Sequence, residues 1–103
     1  MGIYADAVLF YGFMLDGDGN YSDLKGNTHA LGVGVDYRGY EEDPVWYVRV
    51  KESKIMASLG NPQNINPAHF TIKDGWAEKL KAFSKRHKIK WQEPNWHLVS
   101  KLH

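Results

Sequence analysis

The side chains that could bind a metal ion are the acids and amides of the segment DGDGNYSDL near the start of the chain. Asp16, Asp18 and Asn20 match the first three ligand positions of an EF-hand calcium loop. However, Tyr21 stands where that loop needs a glycine, and Asn27 stands where it needs a bidentate glutamate. The segment therefore favours a solvated loop, and we predict no metal site.

No other spacing in the chain matches a catalytic or cofactor motif. Gly32 and Gly34 form a fragment of the dinucleotide-binding fingerprint, but they stand inside a predicted strand and not at a turn into a helix. The five histidines form no compact ligand pair, and no serine has the context of a nucleophile elbow. The chain has no cysteine, which excludes thiolate chemistry. We therefore predict a protein that is not an enzyme and binds no cofactor.

A basic segment in the second half of the chain could contact phosphate groups. Seven bases and two acids lie between Lys73 and Lys90, and a tryptophan follows. A basic helix beside an aromatic ring is typical of nucleic-acid-binding proteins, although it is also typical of the solvated face of an amphipathic helix. The candidate nucleic-acid contacts are Lys81, Lys85, Arg86, Lys88 and Trp91.

Two acidic loops are candidates for contact with a basic protein surface, although both could simply be soluble turns. Residues 1–52 carry nine acids and four bases, a net charge of −5, whereas residues 53–103 carry three acids and nine bases, a net charge of +6. This asymmetry gives the molecule a dipole if the two halves lie apart. The acidic candidates are Asp16, Asp18 and Asp23 in one loop and Glu41, Glu42 and Asp43 in the other.

The segment AVLFYGFML, residues 7–15, predicts a strand that is apolar on both faces. A strand at the surface of a small protein normally has one polar face, so the second face needs cover. Residues 53–70 contain enough apolar side chains to supply it from within. Alternatively, a partner protein or a second copy of the chain covers it, and the first-strand candidates for that contact are Phe10, Tyr11 and Phe13.

The remaining elements follow from the spacing of apolar residues. Alternation predicts strands at 29–38, 45–52 and 96–103, and residues 53–60 fit either a strand continued past a bulge or a helical turn. The segment 76–87 predicts an amphipathic helix that packs through Trp76, Leu80 and Phe83, with Asp74 as its N-terminal cap.

The predicted fold is therefore α+β. We expect a mostly antiparallel sheet of about four strands, in the order β-β-β-α-β, with one amphipathic helix on one face. The 103 residues fit a single domain, 1–103. No signal peptide or membrane-spanning run is visible, which predicts a cytoplasmic protein.

Three pieces of the chain resemble one family: YGFML, WAEKLKAFSKRHKI and PNWHLVS. They are similar to small proteins of unassigned function encoded in tailed-phage genomes, in which a strand with a Tyr-Gly pair precedes a Trp-x-x-Lys-Leu-x-x-Phe helix and a final Pro-x-Trp-x-Leu strand. The matching positions are Tyr11, Gly12, Trp76, Lys79, Leu80, Phe83, Pro94, Trp96 and Leu98.

The resemblance implies a role as an accessory protein that binds and inhibits a host enzyme or a defence complex, including an anti-CRISPR role. Together with the two-faced first strand and a 14% aromatic content, it predicts a non-enzymatic binding protein. The alternative is a nucleic-acid-binding domain that uses the basic helix. A homodimer through the first strand is a further possibility.

Overall fold

The structure, a computed structural model, describes residues 5–15, 21, 32–38, 45–58 and 60–102. In this part of the chain, single turns of 3-10 helix at Lys51–Ser53 and Pro67–Phe70 accompany one α-helix and five strands. The α-helix and strands are β1 Ala5–Met14, β2 Val33–Arg38, β3 Val45–Val50, β4 Ile55–Ser58, α1 Trp76–Arg86 and β5 Asn95–Leu102. The α+β fold is confirmed, and β4 adds a strand to the expected four.

Strand β1 lies at the centre of an open antiparallel sheet and is paired along both edges. Gly12 stands opposite both Arg49 of β3 and Asn95 of β5, so β3 and β5 lie on opposite edges of β1. Strand β4 shares the edge used by β3 and pairs with residues 6–9 of β1, whereas β3 pairs with residues 12–14. Strand β2 pairs with the outer edge of β3. The order across the sheet is therefore β2, then β3 and β4 in succession, then β1, then β5.

The chain leaves this ladder between β3 and β4, in the turn Lys51–Ser53. Ser53 is fully buried there; its hydroxyl accepts a hydrogen bond from the Tyr11 backbone N–H at 2.9 Å and donates one to the Val50 carbonyl oxygen at 2.6 Å. Of the two alternatives for residues 53–60, the structure has the strand, as β4 at Ile55–Ser58, whereas the helical turn lies earlier and replaces the expected end of the strand 45–52. Next to this turn, a Cβ on Gly12 would overlap the Val48 carbonyl oxygen, so the approach of β1 to β3 requires glycine.

Helix α1 covers one face of the sheet. Trp76, Leu80 and Phe83 are buried there, which confirms the predicted packing face. The expected cap is wrong, because Gly75 occupies the N-cap position with a left-handed φ of 92° and no side chain caps the helix. The side chains beneath α1 form the main core: Tyr11, Phe13, Leu15, Val33, Val35, Trp46, Val48 and Val50.

The opposite face of β1 is buried as well, and neighbouring strands cover it. Val8 and Phe10 form a second apolar cluster with Tyr47 and Val99. The Phe10 ring stacks between the rings of Tyr47 and His97, with centroid distances of 4.4 Å and 5.4 Å. The two outer strands, β2 and β5, also contact each other. Because α1 occupies the first face, this contact curls the sheet around the second.

The source of that cover differs from the expectation. Among the described residues of segment 53–70, Phe70 packs on Trp96 on the helix side of the sheet, Ile65 is exposed, and Met56, which stands opposite Val8 on the second face, is 44% exposed. Leu59 lies outside the described residues. The first-strand candidates for partner contact, Phe10, Tyr11 and Phe13, are 0%, 6% and 1% exposed. Strands and α1 already enclose them, so none of the three offers side-chain surface to a partner in this fold.

Candidate functional site

An apolar patch lies on the helix side of the sheet, beside the area that α1 covers; Trp76 of α1 contacts Trp96 at the border, with ring centroids 6.0 Å apart. Leu98, in the middle of β5, is 72% exposed, the largest value among the big apolar side chains of the described residues. Leu9 stands opposite Leu98 in the ladder with β5 and opposite Ile55 in the ladder with β4, so the three side chains share one face. Helix α1 packs over β2 and β3 and leaves this end of the face open.

The turn Pro67–Phe70 completes the patch. It is capped by Asn66, whose side-chain oxygen accepts the Ala68 N–H at 2.9 Å. His69 fastens it to the sheet, with Nε2 2.8 Å from the Ser53 carbonyl oxygen. This places the Phe70 ring 5.2 Å from Trp96 while leaving Phe70 45% exposed. These four side chains are referred to below as the apolar patch: Leu98, Phe70, Trp96 and Ile55.

A second candidate site lies on the opposite face of the sheet, around Arg49. Its Nη1 stands 3.9 Å from Oδ2 of Asp36, and the two side chains are 14% and 15% exposed. A Cβ on Gly34 would lie 3.1 Å from the Arg49 Cζ, so the guanidinium packs against bare backbone of β2. Two of its nitrogens, Nε and Nη1, are buried without a hydrogen-bond partner. With the neighbouring Tyr47, these residues form the Arg49 cluster.

The groups around Arg49 are held in defined protonation states. Burial, aided by the negative charge of Asp36 and opposed by Arg49, raises the pKa of Tyr47 to about 12, so its hydroxyl keeps its proton at neutral pH. Burial lowers the pKa of His97 from its ordinary value, although a hydrogen bond with the Gly12 backbone opposes the shift. This imidazole is therefore neutral at pH 7.

The candidate nucleic-acid residues lie on and after α1. Their lysine and arginine side chains are exposed, as a solvated helix face would also be. Trp91 is half-buried against Phe13, with ring centroids 6.0 Å apart, and the Lys81 Nζ lies 5.4 Å above its ring. A base could stack on that side of Trp91 only after Lys81 moved. The residues in question are Lys81, Lys85, Arg86, Lys88 and Trp91.

A carboxylate that the sequence did not single out anchors α1. The indole N–H of Trp76 donates a hydrogen bond to Glu52, whose carboxylate also lies 3.7 Å from the Lys73 Nζ and 3.6 Å from the Lys79 Nζ. The hydrogen bond from Trp76, followed by these charges, holds the pKa of Glu52 below its ordinary value. Two of the basic residues of segment 73–90 are thereby occupied inside the molecule.

The six acidic candidates lie outside the described residues: Asp16, Asp18, Asp23, Glu41, Glu42 and Asp43. Within the described ranges, no group of three histidine, cysteine or carboxylate side chains is placed to hold a metal ion. None of the helices in these ranges has the length and apolar content needed to cross a membrane.

Comparison with known proteins adds no relative to this picture. No family model, curated protein or solved structure matches the chain. The resemblance to tailed-phage accessory proteins therefore rests on the residues quoted for it.

Sequence patterns did not reveal either candidate site. Leu98 shares its alternation with Trp96, so the pattern assigns both to the core face, and only the limited reach of α1 separates them. Arg49 alternates with Tyr47 and Lys51 as an outward-facing residue. The one available signal was the hairpin register, which sets Arg49 opposite Gly34 and leaves room for an enclosed guanidinium.

Proposed function

We propose that this protein is a small, non-enzymatic binding protein that uses the apolar patch to dock on another protein. The observation that carries the proposal is the exposure of Leu98, 72%, in the middle of an ordered strand. A lone exposed leucine needs no explanation, but this one continues into Phe70, Trp96 and Ile55. A contiguous apolar surface of that kind is typical of protein interfaces, in which aromatic residues are enriched.

The half of the chain that forms the patch is basic, which favours a partner with an acidic surface. The patch comes entirely from residues 53–103, which carry a net charge of +6. Opposite charges around an apolar contact speed association and discriminate against wrong partners. The same excess of positive charge would oppose contact between two copies of the chain through this face.

The identity of the partner is proposed from the resemblance to tailed-phage accessory proteins. Proteins of that kind commonly bind and inhibit a host enzyme or a defence complex. On that basis the partner is a host protein or a defence complex, including a CRISPR effector complex, met in the cytoplasm of the host cell. The apolar patch then acts by occupying a surface that the target needs for its own function.

The test is a capture experiment from a bacterial lysate with three immobilised proteins: the natural chain, Leu98→Asp and Met56→Asp. We expect specific partners to bind the natural chain and to be lost with Leu98→Asp, because the new carboxylate would be buried unpaired in the interface. Met56 is a matched control, since it is also exposed on a strand but stands opposite Val8, whose side chain lies on the other face.

Both variants should remain folded, since each changes an exposed side chain, and thermal melting checks this. Loss of the same partners with Met56→Asp would contradict the assignment of the interface. Equal capture by all three proteins would do so too. If none of the three captured a specific partner, the proposed function itself would be wrong.

Nucleic-acid binding is the second candidate function. The observation that favours it is the row of exposed bases on the outer face of α1, with Trp91 next to Lys81. Such a surface would bind phosphates without reading sequence, because base recognition usually needs arginine, asparagine or glutamine at the contact and α1 offers only Arg86 there. We rank it second because Lys81 already occupies one side of the Trp91 ring.

A further inference from the structure

We propose that the Arg49 cluster binds a small molecule through an oxyanion, a carboxylate or a phosphate group, enclosed between β2 and β5. This site lies on the opposite face of the sheet from the apolar patch. None of its residues belongs to the apolar patch, so anion binding here does not depend on the proposed protein partner.

The Arg49 guanidinium has buried N–H groups that lack hydrogen-bond partners in this structure. Nε and Nη1 are buried and make no hydrogen bond, and an unbonded buried donor is unfavourable, the more so when it is charged. The Asp36 carboxylate stands 3.9 Å away, beyond hydrogen-bond length, and its Oδ1 accepts the Tyr37 N–H at 2.8 Å. The ion pair with Asp36 therefore compensates the Arg49 charge only in part.

An oxyanion would complete the compensation of the Arg49 charge. A guanidinium presents planar N–H donors that match the oxygens of carboxylates and phosphates. Tyr47 lies beside both Asp36 and Arg49, whose charges act on its pKa, and its protonated hydroxyl can donate a further hydrogen bond. Unsatisfied cationic donors together with a neutral hydroxyl select an anion over a cation.

Aromatic rings lie on the same face of the sheet as the Arg49 side chain. Tyr47, Phe10 and His97 form a stack of three rings across β3, β1 and β5 on this face. A few polar groups beside aromatic side chains are the usual composition of small-molecule sites, which often lie at the mouth of a curled sheet. Phe10 has a ring on each side, so only the outer ring faces of Tyr47 and His97 could contact the carbon skeleton of the ligand, while Arg49 holds its oxyanion. The outer face of Tyr47, which is buried, becomes available only when the site opens.

A ligand can reach Arg49 only if β2 and β5 move apart. Strands β2 and β5 contact each other, but no ladder joins them in the described part of the sheet, so they can separate without breaking backbone pairs. Gly34 carries no side chain, so the guanidinium above it can turn once the strands part. Because the site must open, the apparent affinity is reduced by the fraction of molecules that are open.

The experiment follows thermal melting in rising concentrations of inorganic phosphate or of acetate, with chloride holding the ionic strength constant. In the natural chain we expect a saturable rise in the melting midpoint, as for any ligand that binds only the folded state. In Arg49→Met the rise should disappear. Without added anion, Arg49→Met should melt at a lower temperature than the natural chain, because the largely buried Asp36 carboxylate loses Arg49 as its ion-pair partner. The anion response of each protein is therefore measured from its own midpoint.

The two anions separate the possible ligands. A rise with phosphate alone assigns the site to phosphate-bearing molecules, and a rise with both shows that a carboxylate suffices. Lys90→Met removes one exposed positive charge outside the candidate nucleic-acid contacts and should keep the full response. A response that is lost with Lys90→Met, or that survives in Arg49→Met, would overturn the proposal, and so would the absence of any response in the natural chain.

Gly34→Ala provides a second variant in case Arg49→Met does not fold. The added Cβ would stand 3.1–3.4 Å from the guanidinium atoms, so the guanidinium must shift by a few tenths of an ångström and keeps its charge. We expect this shift to weaken the anion response. An undiminished response would contradict the assignment of Arg49 as the anion ligand.

Discussion

At the residue scale, two small residues, Gly12 and Ser53, allow β1 to change partners between β3 and β4. Gly12 admits the Val48 carbonyl oxygen at a distance that no Cβ permits. One residue earlier, the Tyr11 N–H lies opposite the turn and not opposite a strand, and the Ser53 hydroxyl takes the place of the missing carbonyl. Leaving a buried N–H without a partner lowers the free energy of unfolding by about 1–3 kcal/mol. The Ser53 hydroxyl avoids this loss by accepting the Tyr11 N–H in place of a backbone carbonyl.

His97 gives the protein a pH-dependent stability. Its pKa is lowered in the folded state, mainly by burial, so the unfolded chain takes up a proton at this position more readily than the folded one. Stability from the neutral ring is therefore present above the unfolded value of about 6.5 and is lost as the pH falls below it. We expect His97→Gln to flatten the dependence of the unfolding free energy on pH in this range.

Urea unfolding at a series of pH values between neutral and mildly acidic checks this. His69→Gln serves as the control, because His69 lies on the helix side of the sheet and its replacement leaves His97 in place. If the slope of the natural chain persisted in His97→Gln, the burial of His97 would not be its cause.

At the element scale, the packing of α1 decides the stability of the main core. Phe83 is fully buried between the helix and the sheet, so Phe83→Ala removes a ring and leaves a cavity. We expect a loss of about 3–5 kcal/mol in the free energy of unfolding, measured by urea denaturation. Lys85→Ala, on the exposed face of the same helix, should change it by less than about 0.5 kcal/mol. A near-neutral Phe83→Ala would show that α1 does not pack through this face.

The elements could be predicted wherever the spacing of apolar residues is regular. Alternation predicted β3 correctly from Val45, and the helical period placed α1 within one residue of its end. The turn and short strand after Val50 could not be predicted, because their exit from the ladder depends on a hydrogen bond between Ser53 and Tyr11, 42 positions apart. Local patterns carry no record of such a contact.

The cover on the second face of β1 escaped prediction for a related reason. Phe10 is buried by Tyr47 and His97, which flank it only after β3 and β5 pair with the two edges of β1. The sequence showed that this face needs cover, but the curl of the sheet that supplies it belongs to the assembled strands. The same assembly decides that Leu98 is exposed and that Arg49 is enclosed.

At the scale of the whole molecule, the uneven charge gives the nucleic-acid alternative a clear test. If α1 binds DNA or RNA, the natural chain should bind at low salt. The logarithm of its binding constant should then fall linearly as the logarithm of the salt concentration rises. Lys81→Glu combined with Lys85→Glu should abolish that binding or flatten the slope by about one unit for each lost phosphate contact. Fluorescence anisotropy with a labelled oligonucleotide measures both quantities.

Lys79→Gln is the control for this experiment, because Lys79 is already engaged by Glu52 and should contribute little to the slope. The absence of binding by the natural chain at low salt would remove the alternative. An unchanged slope in the double variant would place any phosphate contacts elsewhere on the surface.

The pairing of β1 with β5 also has a consequence for how the protein is made in the cell. Residue 5 stands opposite residue 102 and residue 12 opposite residue 95, so one edge of the central strand stays unpaired until β5, at least 83 positions further along the chain, has left the ribosome. Until then Val8 and Phe10 lack the Val99 and His97 side chains that pack beside them. Non-local pairing of this kind slows folding and leaves an unpaired, aggregation-prone strand edge exposed during synthesis. We expect the nascent chain to keep this apolar edge exposed until β5 pairs with it.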